Sequence, residues 1–339
     1  MQGEHHDHVP VYESGTEVFQ KLQEKWNSTK HKRYRAMYSS VVGGIILDPS
    51  MMVIPIDDHM VHRGHGVFDT AMLSDGYLYE LDSHLDRLLL SASKAKISSP
   101  FSRETLRAIL VQMTAASKCR NGSIKYWLSA GPGDFLLSPK GCTAPAFYAV
   151  VIASAAAAAA GGHPRLREGV RAITSTVPMK DPFFAAMKSV NYLANALAMA
   201  EAEERGVRVG VGGRRRGRGG GPDDERGVRH GRRRPGGAGV RQGPQRVHGE
   251  AAARAGAQVV DAGVLRSVGA ARISAADARR CAEMMFVGSG LPLLPIVEWD
   301  GQPVGDGQVG KIALALSDML CEDIKAGLDR VLVPYDQAS

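Results

Sequence analysis

Along the first half of this chain, short apolar runs alternate with turn residues, and the period then changes. Residues 34–47 read as a strand interrupted at Gly43-Gly44, and 48–56 as a second extended piece. The runs 67–73 and 77–81 flank Ser74-Asp75-Gly76 and predict a hairpin, since glycine tolerates positive φ at that place. Beyond it, Leu85, Leu88, Leu89 and Ala92 fall on one helical face, with Asp82 or Ser83 as the cap. Ser102 opens another helix to about Ser117, and 123–130 and 146–154 read as strands. Strands, then helices, then strands predict a small α+β domain over 34–154. Ahead of it, 1–33 read as a flexible lead with one short amphipathic helix near 18–26.

Residues 155–168, Ala/Gly-rich at the start and without periodicity, predict an interdomain linker. A second, larger domain is expected over 169–339. Its first strand is 170–177, followed by a turn-rich connection at 178–182. Val190, Leu193, Leu197 and Ala200 then recur at helical spacing over 191–205, and Gly206 supplies a stop. Ser274-Ala275-Ala276-Asp277 resembles a capping box and predicts a helix to about Met284. Phe286-Val287 leads into a Gly288-Ser289-Gly290 turn, 293–299 reads as a strand, and Lys311–Ala326 as a final helix.

One stretch fits neither period. Residues 207–258 contain no Leu, Ile, Phe, Trp, Tyr, Met, Lys, Asn, Ser, Thr or Cys. Such a segment cannot build a core and is expected to be disordered in isolation. It also distorts the charge. The chain of 339 residues carries +7, but this stretch has 13 Arg against 4 acidic residues, a local +9, leaving −2 for the rest. Arg/Gly tracts can wrap nucleic acid, yet this one interrupts a folded domain and has no aromatic residue to stack on bases, so nucleic acid is not an expected partner. Every residue type in it can be encoded with G or C in first position. A coding sequence rich in G and C at third positions gives this alphabet when its frame slips by one base. The reading is a compensated double frameshift, opening near Val207 and closing near Val259.

No apolar run is long enough to span a membrane. The polar, His-rich start predicts neither a signal nor a transit peptide, so a cytoplasmic location is expected, with a plastid the open alternative. Cys119, Cys142, Cys281 and Cys321 are scattered without metal spacing, and no metal site is expected.

The chemistry centres on Met187-Lys188-Ser189-Val190-Asn191-Tyr192-Leu193. A lysine between apolar neighbours, at the mouth of a helix, loses hydration and with it some of its charged form. A neutral amine attacks carbonyls, the chemistry of Schiff-base lysines. Taken alone, the residue reads more readily as a surface lysine at a helix start. Three further motifs accompany it: Met60-Val61-His62-Arg63-Gly64-His65-Gly66-Val67-Phe68-Asp69-Thr70, His84-Leu85-Asp86-Arg87-Leu88 and Phe286-Val287-Gly288-Ser289-Gly290. In order and spacing they resemble the class IV (fold type IV) aminotransferases, in particular the plant D-amino-acid or branched-chain aminotransferase-like branch.

That resemblance implies a two-domain fold type IV enzyme, D-amino-acid aminotransferase-like, of mixed α+β and α/β character. It implies a homodimer that uses pyridoxal 5'-phosphate to move an amino group between an amino acid and a 2-oxo acid. It implies Lys188 as the cofactor lysine and proton carrier, Arg63 as the phosphate arginine, Ser289 and Gly290 as the second phosphate loop, and Tyr192 as the partner of the ring hydroxyl. The family's glutamate for the pyridine nitrogen falls in the block that 207–258 replaces, and no residue here matches it. Glu225 does not take the role. The activity of the chain as written is therefore expected to be impaired. Gly131-Pro132-Gly133-Asp134-Phe135 also departs from the Arg-x-His carboxylate trap of the bacterial D-amino-acid enzymes. The alternatives are an aminodeoxychorismate lyase-type enzyme and a catalytically dead binding protein on the same fold.

Overall fold

The computed structural model describes residues 9–29, 33–154, 165–178, 180–207, 209–213, 228–230, 238–239, 265, 267–269, 275–288 and 291–337. Helix α1 (Gly15–Ser28) is capped by the Ser14 hydroxyl and buries none of its residues. It is held at its end by Trp26, which stacks on Tyr34 at 5.7 Å. Strands β1 (Tyr34–Ser39) and β2 (Gly44–Ile46) follow, and the break at Gly43 is a left-handed turn, φ 78°.

Helix α2 (His59–Arg63) is a single turn that no period in the sequence announces. Two local features make it. Asp58 caps the Met60 amide, and Gly64 ends the turn at φ 66°. Strands β3 (Gly66–Ser74) and β4 (Tyr77–Tyr79) form the expected hairpin. Helix α3 (Leu81–Lys94) starts at Leu81 rather than after Asp82 or Ser83, because Glu80 adopts a left-handed turn at φ 52° and folds the chain back at once. Helix α4 (Arg103–Ala116), strand β5 (Gly122–Ser129) and strand β6 (Ala146–Ala153) complete this part.

Alternation along β3 and β5 decides which face is core. Val67, Ala71, Leu73, Ile124, Tyr126 and Leu128 are all buried in one cluster with the apolar faces of α3 and α4. Phe68, Thr70, Lys125 and Trp127 stand on the opposite face, in register across Phe68↔Trp127 and Thr70↔Lys125.

Helix α5 (Arg165–Glu168) and strand β7 (Val170–Pro178) open the second sheet. Helix α6 (Pro182–Ala185) and helix α7 (Leu193–Glu204) follow, with Ala202 buried beside Ile173 and Val207. Strands β8 (Val209–Gly213), β9 (Val228–His230) and β10 (Ala238–Gly239) lie inside 207–258. These described parts of the stretch are held by strands outside it: β8 pairs parallel with β7, and β9 pairs antiparallel further along the same sheet. Backbone amides and carbonyls pair without apolar side chains, so a composition argument about cores does not reach them.

Strand β11 (Val268–Gly269) pairs with β10, and helix α8 (Ala275–Ala278) is one turn. The expected helix to Met284 stops there, because strand β12 (Glu283–Gly288) is claimed by strand β13 (Leu291–Trp299). The second sheet runs β8-β7-β13-β12-β9, parallel in its first two pairings and antiparallel in the others. Strand β14 (Gln302–Pro303) closes the turn at Asp300-Gly301. Helix α9 (Lys311–Ala326) has no side-chain cap of its own. Glu283 supplies one from β12, accepting from the Ile312 and Ala313 amides. Strand β15 (Arg330–Leu332) then leaves the second sheet and pairs with β4, so the end of the chain returns to the first.

Candidate active site

Lys188 lies where the two sheets are tied together. The connection after α6 does not run directly into a helix. It forms an antiparallel bridge, Val67↔Ser189, against the start of β3. The Phe68 amide donates to the Lys188 carbonyl at 2.9 Å, and the Val190 amide to the Gly66 carbonyl at 3.0 Å. The Lys188 amide donates to the Ser91 hydroxyl of α3 at 3.2 Å, and that hydroxyl donates to the Arg87 carbonyl. The lysine backbone is thus clamped between strand and helix, and only its side chain is left to move.

The side chain crosses an aromatic wall. Lys188 Nζ is 4.6 Å from the Phe68 ring centroid and 5.9 Å from that of Tyr192. The two rings meet edge to face at 5.0 Å. Rings of this kind attract an ammonium and exclude water from one side of it. Tyr192 sits at the start of α7, half-exposed, with Lys180 Nζ 4.4 Å above its ring.

The two basic motifs reach this place differently. Arg63 is exposed, and its guanidinium donates to its neighbour's carbonyl, His62, and to Phe135 at 2.6 Å. It pins the loop after β5. Its motif still meets the lysine motif through Gly64, whose carbonyl accepts from Asn191 Nδ2 at 3.2 Å.

Arg87 is mostly buried on the inner face of α3. It grips Asp69 with two bonds, Nε to Oδ2 at 2.7 Å and Nη2 to Oδ1 at 2.6 Å. His84 Nδ1 approaches the same carboxylate at 3.0 Å. Burial works to raise the Asp69 carboxyl, but hydrogen bonds and charge from Arg87 and His84 win and hold it well below the usual carboxylate range. Burial alone would lower the Arg87 guanidinium, and Asp69 overcomes this and raises it, with Tyr126 and Tyr192 adding in the same direction. Arg87 Nη1 makes no hydrogen bond among the described residues. Arg87 thus senses the charge of the Tyr192 phenol, whose ring Lys188 Nζ approaches at 5.9 Å. The sequence carried one signal for it: His84 and Arg87 are spaced i, i+3 on the stripe of Leu85 and Leu88, where charged residues must have a buried partner.

Asp58 anchors the α2 turn from below. It is buried, caps Met60, and accepts from the Ser129 hydroxyl and from Tyr148 at 2.6 Å. Burial pushes the Tyr148 phenol well up, and the bond to Asp58 adds to it. Ser289 and Gly290, expected as a phosphate loop, lie outside the described residues, between the ends of β12 and β13.

A clamped lysine on an aromatic wall that includes a phenol, on a segment tied to the helix that carries a buried arginine, is a donor set for a flat aldehyde with an anionic group. Comparison with known proteins gives the family. The model for amino-transferase class IV matches residues 66–216. A protein named D-amino-acid transaminase, chloroplastic, from Arabidopsis thaliana is 47% identical over 317 residues, covering 90% of this chain and 81% of its own length. The chain belongs to the class IV aminotransferases. A putative branched-chain-amino-acid aminotransferase of Methanocaldococcus jannaschii is 31% identical over 170 residues, about half of each protein.

Solved structures agree on the fold. The T.th. branched-chain amino acid aminotransferase, solved with pyridoxamine 5'-phosphate, superposes with a TM-score of 0.77 at 18% identity, covering 90% of this chain and 100% of its own. That of Escherichia coli gives 0.70 at 15% identity, covering 88% and 95%. This aminotransferase therefore has the fold type IV architecture, and it transfers amino groups between amino acids and 2-oxo acids. The lyase and binding-protein alternatives are not favoured.

Proposed function

We propose that this aminotransferase uses pyridoxal 5'-phosphate held by Lys188, and that its amino donor is a D-amino acid. The clamped backbone and aromatic wall of Lys188 carry the first part. The relative from Arabidopsis thaliana, named for D-amino acids, supports the second.

The donors fit the cofactor in kind. A primary amine meets its aldehyde, the Tyr192 phenol its ring hydroxyl, and a guanidinium its phosphate. Of the two arginines, Arg87 has the better claim to the phosphate, since its charge reaches Tyr192 and its Nη1 makes no hydrogen bond among the described residues, whereas Arg63 is spent on two carbonyls. When bound, the cofactor supplies an electron sink for the pair left on the substrate's α-carbon. Lys188 Nζ, which would hold the cofactor between turnovers, would also act as the base that takes the substrate's α-proton and the acid that delivers it to the cofactor. Phe68 and Tyr192 wall off water on one side, and Ser91 fixes the backbone from which Lys188 swings.

A homodimer is supported by exposed apolar residues on one part of the first unit, Ile56, Val61, Leu136 and Leu137 among them. No helix among the described residues is long and apolar enough to cross a membrane. The Arabidopsis thaliana relative is named chloroplastic, which favours a plastid over the cytoplasm expected from the sequence.

The test is a visible absorption spectrum of the purified chain with pyridoxal phosphate, beside Lys188→Ala. A band of lysine-bound cofactor in the parent alone supports the reading. Loss of that band on adding D-alanine but not L-alanine supports the donor. Free cofactor only in both proteins refutes the assignment of Lys188 for the chain as written.

A further inference from the structure

We infer that His59 and His65 are positioning residues of this site: their rings share one proton, and that proton holds together α2, the end of α3 and the loop after β5, which seat the Lys188 segment. The effect on the loop stands on its own, and only the effect on the cofactor rests on the reading of Lys188 given above.

His59 is buried in the α2 turn, and its Nδ1 lies 3.1 Å from the Nδ1 of His65, which is half-buried just ahead of β3. The outer nitrogens both face carbonyl oxygens. His65 Nε2 is 2.9 Å from the Ala95 oxygen at the end of α3, and His59 Nε2 is 3.3 Å from the Leu136 oxygen in the loop after β5. A carbonyl oxygen only accepts, so each Nε2 carries a hydrogen. A neutral imidazole has one N–H, so two neutral rings would point two bare lone pairs at each other across 3.1 Å. One further proton turns this contact into a hydrogen bond and gives all four ring nitrogens a partner. Three protons on two rings make the pair a monocation. The buried carboxylate of Asp58, next to His59, is the fixed anion of the same turn. The other charged or titratable groups on these elements are Asp57, His62 and Arg63 at α2, Lys94 and Lys96 on either side of Ala95, and Asp134 in the loop. His62 meets the His59 ring edge to face at 5.1 Å, while Arg63, Lys94 and Lys96 are exposed and screened by water.

The pair joins parts that meet at Lys188. Ala95 lies one helical turn after Ser91, the α3 residue that holds the Lys188 amide. His65 stands between Gly64 and Gly66, whose carbonyls accept from Asn191 Nδ2 at 3.2 Å and from the Val190 amide at 3.0 Å. The His65 carbonyl also accepts from the Ala130 amide at 3.2 Å, and the His59 amide donates to the Gly131 carbonyl at 3.0 Å, so both residues border the start of the loop. Raising the pH removes the shared proton and sets lone pair against lone pair. Adding a second proton at low pH sets N–H against N–H. The bond therefore exists only between these two titrations, and on either side of them the loop and the Gly64–Gly66 turn loosen together.

The test is hydrogen exchange of the cofactor-free chain, read by mass spectrometry with each rate divided by its intrinsic rate at that pH. The peptide over 131–137 is expected to lose protection severalfold between about pH 6 and about pH 9, the range around the ordinary titration of histidine. His65→Asn puts a neutral amide donor where Nδ1 stood, so it should keep the loop protected without that pH dependence, while His65→Ala should leave the loop unprotected throughout. Should His65→Asn not fold, His59→Asn takes its place. With pyridoxal phosphate added, the concentration that half-forms the cofactor band should rise over the same range severalfold more in the parent than in His65→Asn. Loop protection that does not change with pH in the parent overturns the inference, whatever becomes of the variants. A loss that the asparagine variant shows equally belongs to another group and overturns it too. If the parent forms no band, the cofactor reading has failed, and the exchange alone decides for the histidine pair.

Discussion

The Lys188 amide and the Ser91 hydroxyl are 3.2 Å apart, and this bond joins the reactive segment to the helix that carries Arg87. Ser91 is buried, so its loss leaves a backbone donor without water to replace it. Ser91→Ala is expected to cost ~1–2 kcal/mol of stability. It should also loosen the lysine, seen as a weaker affinity for pyridoxal phosphate at unchanged secondary structure by circular dichroism.

Gly64 is the second tie. Its φ of 66° costs any L side chain ~1–2 kcal/mol, and a Cβ there would clash with Asn191 Oδ1. Gly64→Ala is expected to displace Asn191, lower the thermal midpoint, and weaken the cofactor band. Gly43→Ala, at similar φ but with nothing within 4 Å of the added carbon, should lower the midpoint alone.

The two arginines separate by the phosphate. Arg87→Gln should abolish most of the preference for pyridoxal phosphate over phosphate-free pyridoxal, measured by absorbance titration. Arg63→Gln should leave the preference intact and instead raise protease sensitivity around Phe135, since it frees that carbonyl. Equal loss in both variants would refute the assignment.

Asp69 gives an acid-side signature. Its folded carboxyl titrates below the ordinary value of about 3.9, so the ionised form stabilises the fold. The sign follows from linkage: this stability is fully present above about pH 4 and is lost progressively as pH falls below it. Urea midpoints from pH 7 to pH 3 are expected to fall at the acid end. Asp69→Asn should remove Asp69's share of that slope and cost ~3–5 kcal/mol at pH 7, because Arg87 is left buried without its partner.

For residues 207–258, sequencing the transcript is expected to reveal an alternative frame that encodes a Gly-Pro-(Thr/Asn)-Met-(Ser/Asn)-Val-Ala-Phe block. Pro222-Asp223-Asp224-Glu225-Arg226-Gly227-Val228-Arg229 is a run that codons for Gly-Pro-Thr-Met-Ser-Val-Ala-Phe can yield when the old third base becomes the new first base. A chain with the frame restored should turn over D-alanine faster than the chain as written. Absence of that block in every frame sinks the frameshift.

The order of residues alone specifies the local elements and singles out one lysine. Apolar positions along 67–73 and 85–92 and the Ser74-Asp75-Gly76 turn were enough for β3, β4 and α3, because these depend on neighbours a few residues away. Motifs spread over most of the chain were enough for the family. Packing in three dimensions settled the rest. It turned Arg63 outward to Phe135 and drew Arg87 inward to Asp69, although both look alike as arginines in basic motifs. It set Lys188 against β3, brought Lys180 to Tyr192, and sent β15 back to β4. These pairings join residues from about a dozen to roughly two hundred and fifty positions apart. No period along the chain encodes them, because they arise when buried amides, carbonyls and charges must each find a partner at once.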